Sequence, residues 1–282
     1  MARIDIAYIS RTGILFRLSL AAEMSLREHI EELRVRVVRV VIAIAIITFF
    51  AMTFDLRPVE VGGVSLAYPY PDPIHNVATR VTLYMQHTLL PPQVTLVQTQ
   101  PGQAFFAQLY VSLLIGLIGS MPVIVREISA FISPAISSST KIGLVNVFLP
   151  AIVLFVGGIM FSYFFVIPFA LDFLYQYGEA IGALPLFNVN DFISFVMQFF
   201  LGFGIAFQLP ILMYGISLTG AISPRFWRDN FRYAAIILVI FGAVITPDGS
   251  GITMWFVAGP MMALYVAGML VVERRAKAKT NT

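Results

Sequence analysis

The stretch Glu28-His29-Ile30-Glu31-Glu32-Leu33-Arg34-Val35-Arg36 places carboxylates, an imidazole and guanidiniums directly before an apolar segment that begins near Val37. Carboxylates at this density are suited to holding planar guanidinium forks through paired, charge-assisted hydrogen bonds. Those guanidiniums can be the chain's own. On a helix Glu32 reaches Arg36 one turn later and Glu31 reaches Arg34, each pair worth about 0.2–0.5 kcal/mol.

Little else in the chain could react. The histidines, His29, His75 and His87, lie outside the apolar stretches, and no Asp or Glu falls inside one. Gly-x-Ser-x-Gly, His-Glu-x-x-His and phosphate-binding glycine loops are missing, which argues against hydrolysis, metal chemistry and any cofactor. A proton-coupled solute carrier keeps titratable groups near mid-depth. Here the nearest candidate is the neutral amide of Gln208, and no inverted repeat is evident. There is no cysteine, so no disulfide or thiol chemistry is available.

The elements that carry these residues follow from composition. With 59% hydrophobic and 12% charged residues over 282 positions, the charges are too few to clothe a soluble globule. Crossing the hydrocarbon takes about 20 apolar residues, all helical, because lipid pairs no backbone group. The uncharged stretches predict an all-α polytopic membrane protein with spans at Val35–Phe54, Ala104–Val125, Ile142–Leu171, Phe192–Leu218, Tyr233–Ile245 and Ile252–Val272. The third is too long to stand upright across about 30 Å, so it tilts or projects, and the fifth is too short. The turn Thr246-Pro247-Asp248-Gly249-Ser250-Gly251 then sits below the headgroups, with Asp248 capping backbone amides or serving a partner. Pro150, Pro168, Pro210 and Pro260 are expected to kink their helices.

Charge sets the orientation. Arg57 and Arg80 fall on one side of the six spans, and the other sixteen of the 18 Lys and Arg residues fall on the opposite side. By the positive-inside rule both termini are cytoplasmic, and the Asp55–Gln103 segment and the loops around Glu179 and Asp248 face outward. The net charge of +3 reports this topology and gives no reason to invoke nucleic acid. Residues 1–23 read as a disordered extension ahead of a possible start at Met24-Ser25. Arg17 interrupts the signal-like Ile14–Ala22 stretch and no small-x-small cleavage site follows. Ser25 and Glu28 stand in capping-box spacing, opening a transmembrane domain over 24–272, and 273–282 forms a basic cytoplasmic tail.

Glu-His-Ile-Glu-Glu-Leu-Arg before the first span resembles the amino-terminal signature of the TatC family, the signal-peptide receptor of the twin-arginine protein translocase. The resemblance runs over about Met24 to Val272. It continues through Met121-Pro122-Val123-Ile124 with Ala130-Phe131-Ile132-Ser133-Pro134-Ala135, then Phe164-Phe165-Val166-Ile167-Pro168 with Phe173-Leu174. Phe203-Gly204-Ile205-Ala206-Phe207-Gln208-Leu209-Pro210 follows, then Arg232-Tyr233, Thr246-Pro247-Asp248, and Pro260 with Leu264-Tyr265.

The resemblance implies a cup-like, concave bundle with two short final helices, in the plasma membrane. It binds the Arg-Arg signal of folded cargo at the cytoplasmic face and recruits single-span TatA/TatB-like subunits in an oligomeric complex powered by the proton gradient, without enzymatic chemistry or a cofactor. Glu32 matches the family's signal-binding glutamate. Arg34, Glu31, Glu28, Glu127, Phe131 and Pro134 complete the expected signal site, while Gln208, Pro210 and Asp248 form the polar site for partners. The expected acceptor for Gln208 is a polar residue on a partner's span, with Tyr163 or Ser194 as internal alternatives.

Three positions depart from the family pattern. Thr140 stands where the first cytoplasmic loop usually carries an acidic residue, so Glu127 becomes the substitute carboxylate. Gln208 replaces a glutamate, and Val266 stands where an acidic residue is common. The alternatives are a solute or lipid permease, which needs a small-molecule cavity at mid-depth, and a divergent membrane scaffold.

Overall fold

Without water to pair them, backbone groups in lipid close their hydrogen bonds within helices, and the chain follows that rule almost throughout. The computed structural model describes residues 26–61, 64–91, 93–132, 141–184, 186–218, 220, 222–246 and 251–280. Helix α1 (Leu26–Thr53) passes directly into a hairpin of β1 (Phe54–Val61) and β2 (Val64–Pro71). Then come α2 (Val77–Leu89), β3 (Thr95–Val97), α3 (Gln103–Ile132), α4 (Lys141–Phe161), a π-helical turn (Ser162–Val166) and α5 (Ile167–Ala180). The chain finishes with β4 (Leu186–Asn188), α6 (Val189–Ala206), α7 (Leu209–Leu218), α8 (Phe226–Asp229), α9 (Phe231–Ile245) and α10 (Ile252–Thr280).

Among the described residues five stretches are long and apolar enough to cross a membrane: Arg27–Thr53, Gln103–Phe131, Phe148–Ala180, Val189–Leu218 and Ile252–Lys277. The expected sixth is the shorter α9, whose 15 residues rise only about 22 Å. Of the two closing helices only α9 is short. Helix α10 continues past Val272 because Glu273-Arg274-Arg275-Ala276-Lys277 are good helix formers with no glycine or proline among them.

The prolines act differently from one another. Pro168 is preceded by the π-helical turn, where the amide of Ile167 reaches back to the Ser162 carbonyl and the wider turn absorbs the missing donor. Pro210 sits in the first turn of α7, and the fourth span, expected to kink at this proline, is interrupted at Phe207–Gln208 just before it. Pro150 and Pro260 lie inside helices that continue past them.

Helix α6 is the centre of the bundle. Phe192, Ile193, Val196, Phe199 and Phe203 are fully buried on it, and it packs against α3 and α4. The bundle's outside is apolar, with Ile46 at 63% exposure and Val244 at 78%, as lipid contact requires. Helices α1 and α3 pack tightly at Gly116, where a Cβ would lie 2.2 Å from Thr48 Oγ1 and 2.9 Å from the Ile44 carbonyl oxygen. Small residues permit such backbone contact between spans.

The Asp55–Gln103 segment carries a hairpin, a helix and a buried ion-pair network. Buried Asp55 is held by Arg80 (Nε to Oδ1 2.7 Å) and Arg57 (3.4 Å), and Arg57 also reaches Asp72 at 3.2 Å. The two arginines that break the charge rule are therefore each held by carboxylates. The His75 amide, with that of Ile74, holds the Asp72 carboxyl below its usual range against desolvation. Pro58, Pro69 and Pro71 fall in the pairs Pro58↔Ala67, Leu56↔Pro69 and Phe54↔Pro71. Since proline has no N–H, these alternate pairs are the non-hydrogen-bonded ones, and the prolines point their nitrogens along the hairpin's free edges. Strands β3 and β4 pair in parallel, setting the starts of α3 and α6 side by side.

Candidate functional site

At the arginine-rich end of the bundle α1 and α3 run antiparallel from their crossing at Gly116. Arg36 lies 12 residues before Thr48 and Glu127 lies 11 residues after Gly116, so equal helical rise brings them level. Arg36 joins the two helices. Its Nε donates to Glu32 Oε1 at 3.0 Å, its Nη2 donates to the same oxygen, and its Nη1 donates to Glu127 Oε2 at 3.0 Å. Arg39 approaches Glu127 Oε2 at 3.5 Å. Glu127 is only 5% exposed, a depth at which a carboxylate persists only when paired.

His29, one turn ahead of Glu32, stacks on Phe131 at 4.4 Å with the rings 17° apart, and its Nδ1 lies 3.8 Å from Glu32 Oε2. That second oxygen of Glu32 is buried and has no hydrogen-bond partner among the described residues. The structure thus gathers Glu32, Glu127 and Phe131 and adds Arg36, Arg39 and His29. Glu31 and Arg34 point elsewhere, because 100° per residue puts them off the face shared by positions 29, 32, 36 and 39. Their expected mutual pair is not formed, and both are exposed. Glu28 is exposed beside the cluster. Pro134, Thr140, Asp248 and the capping residue Ser25 lie outside the described residues. The Glu32–Arg36 pair was legible from its spacing; Arg36 as a bridge to a residue 91 positions away was not.

Gln208 lies at the break between α6 and α7. Its own N–H bonds to the Ile205 carbonyl at 2.9 Å, leaving the Gly204 carbonyl that a continuous helix would have used. The side-chain amide fills that gap, donating to Gly204 O at 3.5 Å and to Ala151 O of α4 at 3.2 Å. The internal acceptors are therefore these carbonyls and not the expected Tyr163 or Ser194; Tyr163 shares a hydrogen bond with Thr88. Gln208 Oε1 accepts no hydrogen bond among the described residues. Pro210, beside it, packs on α10 at Gly268, where a Cβ would come 2.9 Å from Pro210 Cα.

The same amide forms part of the wall of an apolar groove of about 430 Å³ between α3, α4 and α7, lined by Met121, Val125, Ala151, Phe155 and Leu212. Its lining contains no charged side chain. The polar groups there are the Gln208 amide and Ser129, too few to recognise a polar solute.

Comparison with known proteins decides the family. The profile described as TatC, Sec-independent protein translocase protein, matches residues 28–260. The chain belongs to the TatC family. It is 51% identical over 257 residues to the Sec-independent protein translocase protein TatC of Cenarchaeum symbiosum, covering 91% of this chain and 97% of that one. The TatC of Aquifex aeolicus is 32% identical over 243 residues, covering 86% and 92%. A crystal structure of the twin-arginine translocase receptor TatC superposes with a TM-score of 0.71 at 31% identity, covering 87% of this chain and 98% of that one. As a TatC-family protein, it is a translocase component working in protein transport, and the permease alternative falls away. The matched span takes in the Glu32–Arg36–Glu127 cluster, Phe131, Gln208 and Pro210.

Proposed function

We propose that this chain is the receptor subunit of a twin-arginine translocase in the plasma membrane. It binds the consecutive arginines of a signal peptide at its cytoplasmic face, with both termini on that side and the 273–282 segment a basic cytoplasmic extension. The carrying observation is the cluster at the end of α1 and α3. Among the described residues Glu32 keeps one buried carboxylate oxygen without a hydrogen-bond partner beside Glu127, a second carboxylate already organised around a guanidinium. To reach the buried Glu32 Oε2 an arriving arginine fork displaces the His29 imidazole that lies 3.8 Å from it, and its neighbour competes with Arg36 for the two carboxylates. Glu28, Glu31 and the exposed Arg34 form the approach, and Phe131 with His29 offers an apolar wall. Pro134 joins this site on the strength of the resemblance. The work is recognition and passage, without enzymatic chemistry.

A photoreactive group beside the arginine pair of a signal peptide tests this. Added to inverted vesicles, which expose the cytoplasmic face, it should crosslink within residues 28–36 or 126–131. It should not do so in right-side-out vesicles or from an Ala-Ala peptide. Crosslinks confined to other segments would remove the cluster from the signal site.

Single-span TatA/TatB-like partners dock along the groove at Gln208 and Pro210, with Asp248 assigned to the same polar site by resemblance, and the assembled oligomer uses the proton gradient. Gln208 Oε1 is free to accept from a partner, and the protonated glutamate usual in the family would offer the same donor and acceptor. Gln208→Glu should therefore preserve partner crosslinking near neutral pH. Gln208→Leu, which strands the Gly204 carbonyl, removes the added bond to Ala151 and offers no acceptor, should reduce it roughly threefold or more, about 0.6 kcal/mol or above. Unchanged crosslinking by the leucine variant would limit Gln208 to its internal role.

A further inference from the structure

A second apolar groove, of about 430 Å³, opens at the arginine-rich end between α7, α8, α9 and α10, remote in sequence from the cluster on α1 and α3. Leu209, Trp227, Tyr233, Ile237, Leu238 and Tyr265 line it. Its floor is fixed: Tyr265 Oη donates to the Trp227 carbonyl at 2.8 Å, and Trp227 Nε1 donates to Ser217 Oγ at 3.0 Å. One side is bare, with Ile237 at 64% and Ile236 at 59% exposure, so the groove faces lipid.

Its mouth is cationic. Arg225, Arg228 and Arg232 stand against Asp229 alone in the segment that enters α9. Arg228 is paired with Glu273 at 2.6 Å. Arg232 folds over Tyr233 on the groove's rim, its guanidinium 4.7 Å from the ring and its Nη2 donating to Tyr233 Oη at 2.8 Å. Neither Arg232 nor Arg225 has a carboxylate partner among the described residues. An occupant must therefore be apolar along most of its length and negatively charged at one end.

We propose that this groove is a binding site for one anionic phospholipid, its acyl chain against Trp227, Ile237 and Leu238 and its phosphate headgroup between Arg225 and Arg232. Basic pockets between spans at the headgroup level recruit such lipids, each arginine favouring an anionic headgroup roughly fivefold. The aromatic residues suit the same depth, where Trp and Tyr sit between hydrocarbon and water.

The chain's two tryptophans, Trp227 and Trp255, make the site directly readable. Full-length protein carrying Trp255→Phe, at an exposed position, leaves Trp227 as the single emitter in vesicles of phosphatidylcholine. Phosphatidylglycerol brominated on its acyl chain should quench Trp227 at a severalfold lower mole fraction than brominated phosphatidylcholine. Arg225→Gln with Arg232→Gln should bring the two lipids level, and Ala234→Phe, which narrows the groove, should weaken quenching by both. Equal quenching in the parent would mean bulk lipid wets the groove without selection. Absence of quenching by either lipid would mean that protein, such as a partner's span, covers it. Either result overturns the proposal.

Discussion

Glu32→Ala should abolish measurable binding of an Arg-Arg signal peptide while leaving the subunit folded. Truncating one partner of a desolvated charge pair costs about 2 kcal/mol or more, roughly thirtyfold in Kd. Folding is spared because Arg36 retains its 3.0 Å bond to Glu127, so no buried charge is orphaned. Glu32→Asp keeps the charge but withdraws it by one methylene, and its binding should fall between the two. Titrating labelled peptide into detergent-solubilised protein, with a thermal melt of each variant alongside, separates contact from collapse. Unchanged affinity in the alanine variant would reduce Glu32 to a partner for Arg36.

Gly116→Leu should have the largest effect on structure. Even the first atom of a side chain there would meet Thr48 Oγ1 at 2.2 Å and backbone oxygen at 2.9 Å, so α1 and α3 must move apart. Overpacking of this kind costs about 1–3 kcal/mol. The displacement also breaks the Arg36–Glu127 bridge, so peptide binding should fall with the melting temperature. Gly157→Leu is the control, because nothing lies within 4 Å of a Cβ at that site. If the Gly116 variant melts and binds like the parent, the α1–α3 crossing does not position the site.

The charge cluster and the apolar runs were readable because each depends on neighbours along one chain segment. Spacing of four residues placed Glu32 against Arg36, and hydrophobic length placed the spans. Glu127 shows where such reading stops: periodicity gives the face on which a residue sits, but the helix opposite that face is chosen by packing at Gly116 and Gly119, where α1 and α3 fit together. The interruption at Phe207–Gln208 was hidden for a similar reason. Pro210 is tolerated in a first turn as readily as it kinks an interior, and the amide that compensates the break depends on a carbonyl 57 residues away. The hairpin at Phe54–Pro71 was obscured by its prolines, which argue against a strand unless it lies at an edge.

Those hairpin prolines bear on what the translocase releases. A two-stranded ribbon leaves both flanks without a neighbour, and such flanks ordinarily capture any extended segment that passes. Pro69 and Pro71 on one flank and Pro58 on the other remove donors from the rungs where a foreign strand would attach. In the proposed orientation the hairpin faces outward, where folded passengers with edge strands of their own would leave, and an adhesive ribbon there would hold them. On each flank the ladder a passing strand could form is thereby interrupted, so the ribbon's edges make poor templates for whatever moves past them.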